Sequence, residues 1–372
     1  VSINKALAIV EHCLLKVPNI KGYDGKNPGG LSYVAFSVQR KDSKVQLVLV
    51  FNNNNLKELG EKNINRFMKL LTNTNSNNIM ASNSNGSNHK KRKKNKKRKH
   101  SNNQQPNGDS SSSSTSSEGS DNIFHSIWLH FHPCGRHDNS IFGRNENSWK
   151  CVYGNECGVE ESFKEISRIT STKVKNKNDG GNYKTILYFP PFVFRQANLD
   201  AFENIVQTIR KYLPVNKNVV ELYGGVGTIG LNIIDLVEHL SCSDENPYNE
   251  KCFLRSKNNL SKMLQDKVHY TTGSATAMVV DRNELVDKDV CIVDPPRKGL
   301  DEAVINALLA PNGPERLIYI SCGFKAFKRD YEALTSNTTS INPFQLIHAE
   351  GHVLFPGADH LETVAIFDRI KK

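Results

Sequence analysis

An α/β fold with a mostly parallel, doubly wound sheet is predicted for the C-terminal half of this 372-residue chain. From residue 186 onward, short apolar runs alternate with amphipathic segments, which is the pattern of strands and helices in a parallel sheet. Three motifs, ELYGGVGTIG, DPPRKG and LIYISC, each lie at the end of such a run. Because ligands of these sheets bind at the carboxyl ends of the strands, the motifs predict one shared site.

The predicted elements of this half follow the alternation in order. Helices are predicted over Leu199–Tyr212, Thr228–Leu240, Asn249–Leu264, Glu302–Leu309 and Phe324–Leu334. Strands are predicted over Val219–Tyr223, up to Asp244, over Val290–Asp294 and Leu317–Ser321, and around Leu346 and Ala365. The predicted domain therefore spans residues 186–372.

A small β-rich domain is predicted for residues 1–185. LSYVAFSVQR and KVQLVLVFN have the composition of two strands around a polar turn, and FHSIWLHFH resumes that pattern later. Between them, about residues 52–122 are nearly all Asn, Ser, Lys and Gly. Such a stretch cannot bury enough apolar surface to offset its ordering entropy. It is predicted to be a disordered insert at a loop tip of the β-rich domain.

The formal net charge of +11 comes mostly from one tract, because residues 90–99 supply nine positive charges and leave +2 for the rest. The tract is either a nuclear or nucleolar address, a phosphate-binding arm or a solubilising segment. The compartment therefore stays open between nucleus, nucleolus, organelle and cytoplasm. Since the chain begins at Val1, it is expected to be a fragment or a processed form that lacks a presequence.

The eight cysteines do not show a zinc-binding pattern. Cys151 and Cys157 are spaced C-x5-C without a second pair, so no metal site is predicted. Neither a signal peptide nor a run of 18 apolar residues occurs in the sequence. A reducing compartment and no membrane partner are expected.

The glycine-rich turn predicts a cofactor site. Gly225 and Gly227 would let the backbone approach a ligand closely, and their G-G-x-G spacing differs from that of a dinucleotide fingerprint. Asp244 ends the next strand, where a carboxylate suits a ribose diol. Acidic residues beside a sulfonium favour S-adenosylmethionine over a phosphate-bearing cofactor. The alternatives are a tight turn without a ligand, and an Asp244 that only stabilises a helix N-terminus.

A second group of residues predicts chemistry on a pyrimidine ring. Methylation at carbon 5 needs a thiolate that adds to carbon 6, a base for the carbon-5 proton and a methyl donor. Cys322 lies between a strand and a helix N-terminus, where a thiolate is stabilised. Asp294 opens a rigid Asp-Pro-Pro turn that ends in Arg297, and Glu362 enters an apolar strand as a candidate base. An inert thiol, a stiff loop and an edge carboxylate are the structural alternatives, and His360 is a competing base.

Together these motifs, from Phe192 to Arg369, resemble the S-adenosylmethionine-dependent RNA 5-methyluridine methyltransferases. The resemblance implies a Rossmann-like class I methyltransferase domain with S-adenosyl-L-methionine as cofactor. It implies that Cys322 is the nucleophile and Glu362 the proton acceptor. The remaining implied contacts are with the cofactor, from Gln196 of FRQANLDAF, Tyr223, Gly225, Gly227, Thr228, Asp244 and Asp294, and with the target, from Asp294, Pro295 and Arg297.

Glu221 and Gly224 depart from the aspartate and cysteine usual in that family, and GSATA lacks its acidic residue near the third strand. The predicted function is methylation of carbon 5 of a uridine in tRNA or rRNA, by a monomer whose first domain helps to hold the RNA. One alternative is a methyltransferase for another target, such as cytosine or an amino group. The other is a catalytically degenerate RNA-binding protein.

Overall fold

The computed structural model describes residues 1–25, 30–53, 56–73, 122–132, 148–166, 184–336, 343–358 and 361–370. The basic tract, most of the predicted insert and His360 lie outside these residues. Within the described ranges, no helix is both long and apolar enough to cross a membrane. The same ranges contain no group of three or more His, Cys, Asp or Glu side chains that could hold a metal ion.

The N-terminal part contains a four-stranded sheet packed against helices. Its strands, in spatial order, are β1 (Leu31–Val38), β2 (Val45–Phe51), β3 (Phe124–Phe131) and β4 (Trp149–Gly154). The helices are α1 (Ser2–Lys16), α2 (Leu56–Leu59) and α3 (Glu61–Asn73). Every residue of β2 is buried, and β2, α1 and α3 share one hydrophobic cluster. The sheet is therefore covered by these two helices.

Residues 56–59 and 61–73 form α2 and α3, so the predicted start of the disordered insert at about residue 52 is wrong. Ile64, Phe67, Met68 and Leu71 recur at helical spacing in α3 and are buried against the sheet. Strands β2 and β3 are parallel, and the predicted loop-tip position of the insert lies outside the described residues. Parallel neighbours need a crossover connection, and α3 forms part of that crossover.

The C-terminal sheet has seven strands. A separate antiparallel pair, β5 (Val159–Glu161) and β6 (Leu187–Phe189), precedes this sheet in the chain. The seven strands of the sheet are β7 (Asn218–Leu222), β8 (His239–Asp244), β9 (Val268–Thr272), β10 (Val290–Val293), β11 (Arg316–Ser321), β12 (Phe344–His352) and β13 (Glu362–Arg369). Their order is β12-β13-β11-β10-β7-β8-β9. Strands β9, β8, β7, β10 and β11 are parallel, and β13 is antiparallel to both of its neighbours. The predicted fold class is confirmed.

Helices cover both faces of this sheet. They are α4 (Leu199–Tyr212), α5 (Pro247–Lys257), α6 (Lys262–Asp266), α7 (Ala275–Val280), α8 (Glu302–Leu309) and α9 (Phe324–Thr335). Side chains of successive strand residues lie in two different hydrophobic clusters, one on each face of the sheet. Val219 packs in the cluster with residues of α4, and Val220 packs in the cluster with residues of α8. The sheet is therefore buried on both sides, as parallel sheets are.

The helix predicted over residues 228–240 is wrong, because the segment forms turns and one short 3-10 helix, Gly230–Asn232, before β8 begins at His239. Five apolar side chains are buried there: Ile229, Leu231, Ile233, Ile234 and Val237. The polar residues Thr228, Asn232, Asp235 and His239 recur at helical spacing, so the pattern favoured a helix that the packed chain does not form.

Ion pairs join the N-terminal sheet to the segment that carries Gln196. The buried carboxylate of Glu161 is 2.8 Å from Arg40 Nε and 2.5 Å from Arg195 Nη2. Arg195 also donates to the carbonyl oxygen of Val38 at 3.0 Å. The single buried carboxylate fixes the relative positions of the two guanidinium groups, because its loss would leave both cations without this partner.

Candidate active site

The winding of the C-terminal sheet reverses between β7 and β10, where a crevice forms at the carboxyl ends of the strands. Leu222 pairs with Val293 on one side and with Ser243 on the other. Tyr223 follows Leu222, Asp294 follows Val293, and Asp244 follows Ser243. These three residues therefore lie at the same level of the sheet. The register thus brings the predicted cofactor residues together.

A small cavity of about 50 Å³ lies in this crevice. Its lining includes five of the predicted site residues, Gln196, Tyr223, Gly225, Thr228 and Asp294, together with Phe194 and Glu221. This volume is small beside typical ligand sites of roughly 300–1,000 Å³, so it accommodates a group of a few atoms rather than a whole nucleoside.

The two predicted glycines have different roles. A Cβ on Gly225 would meet no atom within 4 Å, so its outer side is open to a ligand. A Cβ on Gly227 would lie 2.6 Å from the Phe253 ring, and its φ is +84°. Gly227 is therefore required for packing and backbone conformation, and it is not part of the cavity lining.

Tyr223 is held in an unusual state. Its φ is 61°, a left-handed value that is costly for a bulky residue. Its hydroxyl is buried and has no hydrogen-bond partner among the described residues. Burial raises the pKa of Tyr223 well above its ordinary value. A strained residue with an unsatisfied polar atom fits a wall that contacts a polar ligand group.

Asp244 is oriented by three N–H donors. Its Oδ2 accepts from the backbone N of Gly225 at 3.1 Å, and its Oδ1 accepts from Asn246 N at 2.8 Å and Asn249 Nδ2 at 2.9 Å. Asn246 is the N-cap of α5, so Asp244 supports the helix start and also faces the glycine turn. This geometry is compatible with both roles that the sequence suggested for Asp244, which are binding of a ribose diol and stabilisation of a helix N-terminus.

Glu221 and Gly224 are linked by packing. The buried Glu221 Oε2 accepts from Gly230 N at 3.1 Å and from the Cys242 thiol at 3.2 Å. A Cβ on Gly224 would lie 2.4 Å from Cys242 Sγ and 3.0 Å from Glu221 Cδ. The Cys242 thiol, with the Glu221 carboxyl beside it, therefore leaves no room for a side chain at 224. Burial raises the pKa of Glu221 to about 7.

Cys322 and Glu362 face each other across neighbouring strands. Ser321 of β11 pairs with Thr363 of β13, and one step further along this antiparallel register Cys322 lies opposite Glu362. The turn after β10 packs against the same place, since a Cβ on Gly323 would lie 2.8 Å from the carbonyl oxygen of Arg297. The candidate nucleophile, the candidate base and the Asp-Pro-Pro-Arg turn are thus adjacent.

The acidic groups of this cluster hold their protons more tightly than usual. Burial, then the charges of Glu362 and Asp294, raise the pKa of Cys322, and Arg297 opposes this. Burial, then Glu362 and Glu221, raise the pKa of Asp294 to about 8. Burial also raises the pKa of Glu362, as expected for a base. Burial and the neighbouring carboxylates therefore outweigh the thiolate stabilisation expected at the start of α9, and the pKa of Cys322 is raised.

The target-side residues differ in exposure, because Pro295 is buried and Arg297 is exposed. His352 was not identified from the sequence, although it pairs with Glu362 and opposes the rise in the pKa of that carboxyl. His352 Nε2 lies 2.8 Å from Glu350 Oε1 on the same strand. The alternation in HAEGH, which puts His348, Glu350 and His352 on one face, was the available signal.

No protein-family model matches the chain. An uncharacterized RNA methyltransferase of Protochlamydia amoebophila is 28% identical over 367 residues, which cover 99% of this chain and 76% of that protein. Uncharacterized RNA methyltransferases of Staphylococcus epidermidis and Lactococcus lactis are each 31% identical over 179 residues. Those matches cover 47% of this chain and 37% of each relative, so the chain spans little more than a third of their length.

The solved structure of a Pyrococcus abyssi tRNA (uracil-54, C5)-methyltransferase in complex with S-adenosyl-L-homocysteine has a TM-score of 0.59. It is 17% identical, and the match covers 98% of this chain and 66% of that one. The chain therefore has the fold of a methyltransferase. Its curated relatives are named RNA methyltransferases, and the predicted relationship to that class is confirmed.

Proposed function

We propose that this protein transfers a methyl group from S-adenosylmethionine to carbon 5 of a uridine in RNA, either tRNA or rRNA. The observation that carries the proposal is the position of Cys322 opposite Glu362, beside the turn that begins at Asp294. The names of the relatives support RNA as the substrate, and the fold is shared with an enzyme named for carbon 5 of uracil.

The residues around the glycine turn fit the cofactor. When bound, S-adenosylmethionine supplies an electrophilic methyl group. Asp244 has a fixed orientation suited to accepting hydrogen bonds from a ribose diol. The buried hydroxyl of Tyr223 and the open side of Gly225 provide a polar atom and a close backbone approach. Gln196, Thr228 and Asp294 complete the wall.

Cys322 and Glu362 have complementary roles in this reaction. The thiol must first give its proton to solvent, which reaches this partly exposed side chain, although burial disfavours the loss. Cys322 Sγ then bonds to carbon 6, and the electron pair of the ring double bond makes carbon 5 nucleophilic. Carbon 5 takes the methyl group, the electron pair of the broken carbon–sulfur bond stays with the sulfur of S-adenosylhomocysteine, and Glu362 then removes the carbon-5 proton. The electron pair of that C–H bond restores the ring double bond and expels Cys322 Sγ.

The test is to trap the covalent step. RNA containing 5-fluorouridine, incubated with protein and S-adenosylmethionine, should give a denaturation-resistant protein–RNA adduct, because fluorine at carbon 5 prevents the final elimination. Cys322→Ala should abolish the adduct. Cys157→Ala, which removes another partly exposed thiol, should retain it.

Two outcomes would contradict the proposal. A protein that binds S-adenosylmethionine and methylates RNA without forming the adduct would be an amino-group methyltransferase, which needs no nucleophile. A folded protein that binds RNA and no cofactor would be a binding protein with a degenerate methyltransferase fold.

A further inference from the structure

A second cavity, of about 540 Å³, lies between the N-terminal sheet and α5. Its lining contains five aromatic residues: Trp128 and Trp149 of the N-terminal sheet, Tyr188, Phe192 and Tyr248. The volume is within the roughly 300–1,000 Å³ typical of sites for small ligands. Neither the catalytic cysteine nor the glycine turn is part of this lining.

The aromatic rings form one connected wall. Phe192 lies at its centre, with ring centroids 5.7 Å from Trp128, 5.7 Å from Trp149 and 4.7 Å from Tyr248. The ring of His130 also stacks on the ring of Trp149, with their ring centroids 3.8 Å apart. Such a wall is rigid, so a planar ring can pack on it at little cost in side-chain entropy.

Positive charges stand at the rim of this wall. Lys251 and Arg255 are exposed and lie four residues apart on α5, on the face that also carries Tyr248. The Arg255 guanidinium is 4.7 Å from the centre of the Tyr188 ring. Glu156 is the acidic residue of the lining. Two cations beside an aromatic wall are complementary to a nucleotide, which pairs a planar base with a phosphate.

One chain segment joins this cavity to the cofactor crevice. Phe192 lines the aromatic cavity, whereas Phe194 and Gln196, two and four residues later, line the small cavity at the glycine turn. Asn246 donates to the carbonyl oxygen of Phe192 at 3.2 Å and is itself held by Asp244. An RNA that enters the crevice therefore passes close to the aromatic wall.

We propose that the aromatic cavity binds an unpaired nucleotide of the RNA, with its base on the wall formed by Trp149 and Phe192 and its phosphate at Lys251 and Arg255. This inference rests on the proposed function, which makes RNA the substrate. It adds a subsite that holds a nucleotide other than the one that reacts with Cys322.

The chain carries its own probe for this subsite, because both of its tryptophans line the cavity. Pentaadenylate should change the tryptophan fluorescence of the full chain and protect it from quenching by acrylamide. An abasic ribose-phosphate pentamer, which keeps the charges and lacks the bases, should leave the fluorescence unchanged. The basic tract can bind phosphates by itself, so the decisive readout is the local signal and not total binding.

Variants separate the two parts of the subsite. Trp149→Leu should weaken pentaadenylate binding roughly tenfold, and Trp149→Phe should restore most of it, since stacking on an aromatic ring contributes about that much per base. Trp128 remains as the probe in both variants. Lys251→Ala combined with Arg255→Ala should lower the slope of log affinity against log salt by about 1.4, from two phosphate contacts at about 0.7 each. Lys262→Ala, whose side chain is 81% exposed on α6, should lower that slope by no more than half as much.

Three results would overturn the proposal. These are equal fluorescence changes with the abasic pentamer, variants at Trp149 that bind pentaadenylate as the unaltered chain does, and free AMP that binds more tightly than pentaadenylate. None of these measurements involves methyl transfer, and Cys322→Ala should still show the fluorescence change. A failure of the proposed reaction with an intact fluorescence response therefore contradicts the reaction alone.

Discussion

Glu221→Gln is expected to change how stability depends on pH. Burial raises the pKa of Glu221 from 4.5 to about 7 in the folded protein, whereas the unfolded chain has the ordinary value. Between these values the folded state holds a proton that the unfolded state has released, so the free energy of unfolding falls as pH rises. At about 1.4 kcal/mol per pKa unit, this loss is roughly 2–3 kcal/mol between pH 5 and pH 8.

Glutamine keeps the shape and the oxygen that accepts from Gly230 N, and it cannot ionise. The variant should therefore gain roughly 2–3 kcal/mol relative to the unaltered chain when both are moved from pH 5 to pH 8. Urea unfolding at a series of pH values measures the difference. Asp294, with a pKa of about 8, adds its own pH dependence to both proteins. Because the charge of Glu221 contributes to that pKa, the substitution lowers it and adds to the expected gain in the same direction. Parallel stability curves for the two proteins would refute the assignment of a buried, protonated Glu221.

Three further substitutions test other parts of the site. Gly224→Ala should cost about 1–3 kcal/mol in urea unfolding, because its Cβ meets Cys242 Sγ, and the cost should shrink in a Cys242→Ala background; an equal cost in both would show that the sulfur is not the obstacle. His352→Gln removes a group that lowers the pKa of Glu362, so the acid limb of the pH–rate profile should move to higher pH; an unmoved limb would exclude this role. Asp244→Asn should weaken S-adenosylhomocysteine binding about tenfold in calorimetry, as expected for hydrogen bonds that lose a charged acceptor; unchanged affinity would leave Asp244 as a helix-start residue only.

The sequence predicted those elements whose local pattern agrees with their surroundings. Leu199–Tyr212 and Glu302–Leu309 were predicted with the bounds that the structure shows, because each has one apolar stripe against the sheet. The segment from residue 228 to residue 240 has polar residues at helical spacing, so its periodicity favoured a helix where most of the chain forms turns. The helix α3 was missed because its apolar stripe lies in an Asn- and Lys-rich stretch.

The site was predictable as far as strand ends determine it. Parallel strands end at one edge of a sheet, and this rule alone predicts that Asp244, Asp294 and Cys322 lie at the same edge. The prediction does not require knowledge of the pairing register between the strands. The position of Glu362 opposite Cys322 depends on the β11–β13 register. The contact of Gly224 with Cys242 joins residues 18 positions apart and depends on side-chain packing, so the sequence alone did not show it.

The most direct test of the proposed chemistry is to follow uridine itself in a base-deficient protein. Glu362→Gln, incubated with S-adenosylmethionine and RNA, should accumulate a covalent complex through Cys322 that carries 5-methylated uridine, because the carbon-5 proton is no longer removed. The unaltered chain should release RNA whose digested nucleosides contain 5-methyluridine. Methylation of another atom by the unaltered chain, or full turnover by the Glu362→Gln variant, would contradict the assignment of Cys322 and Glu362.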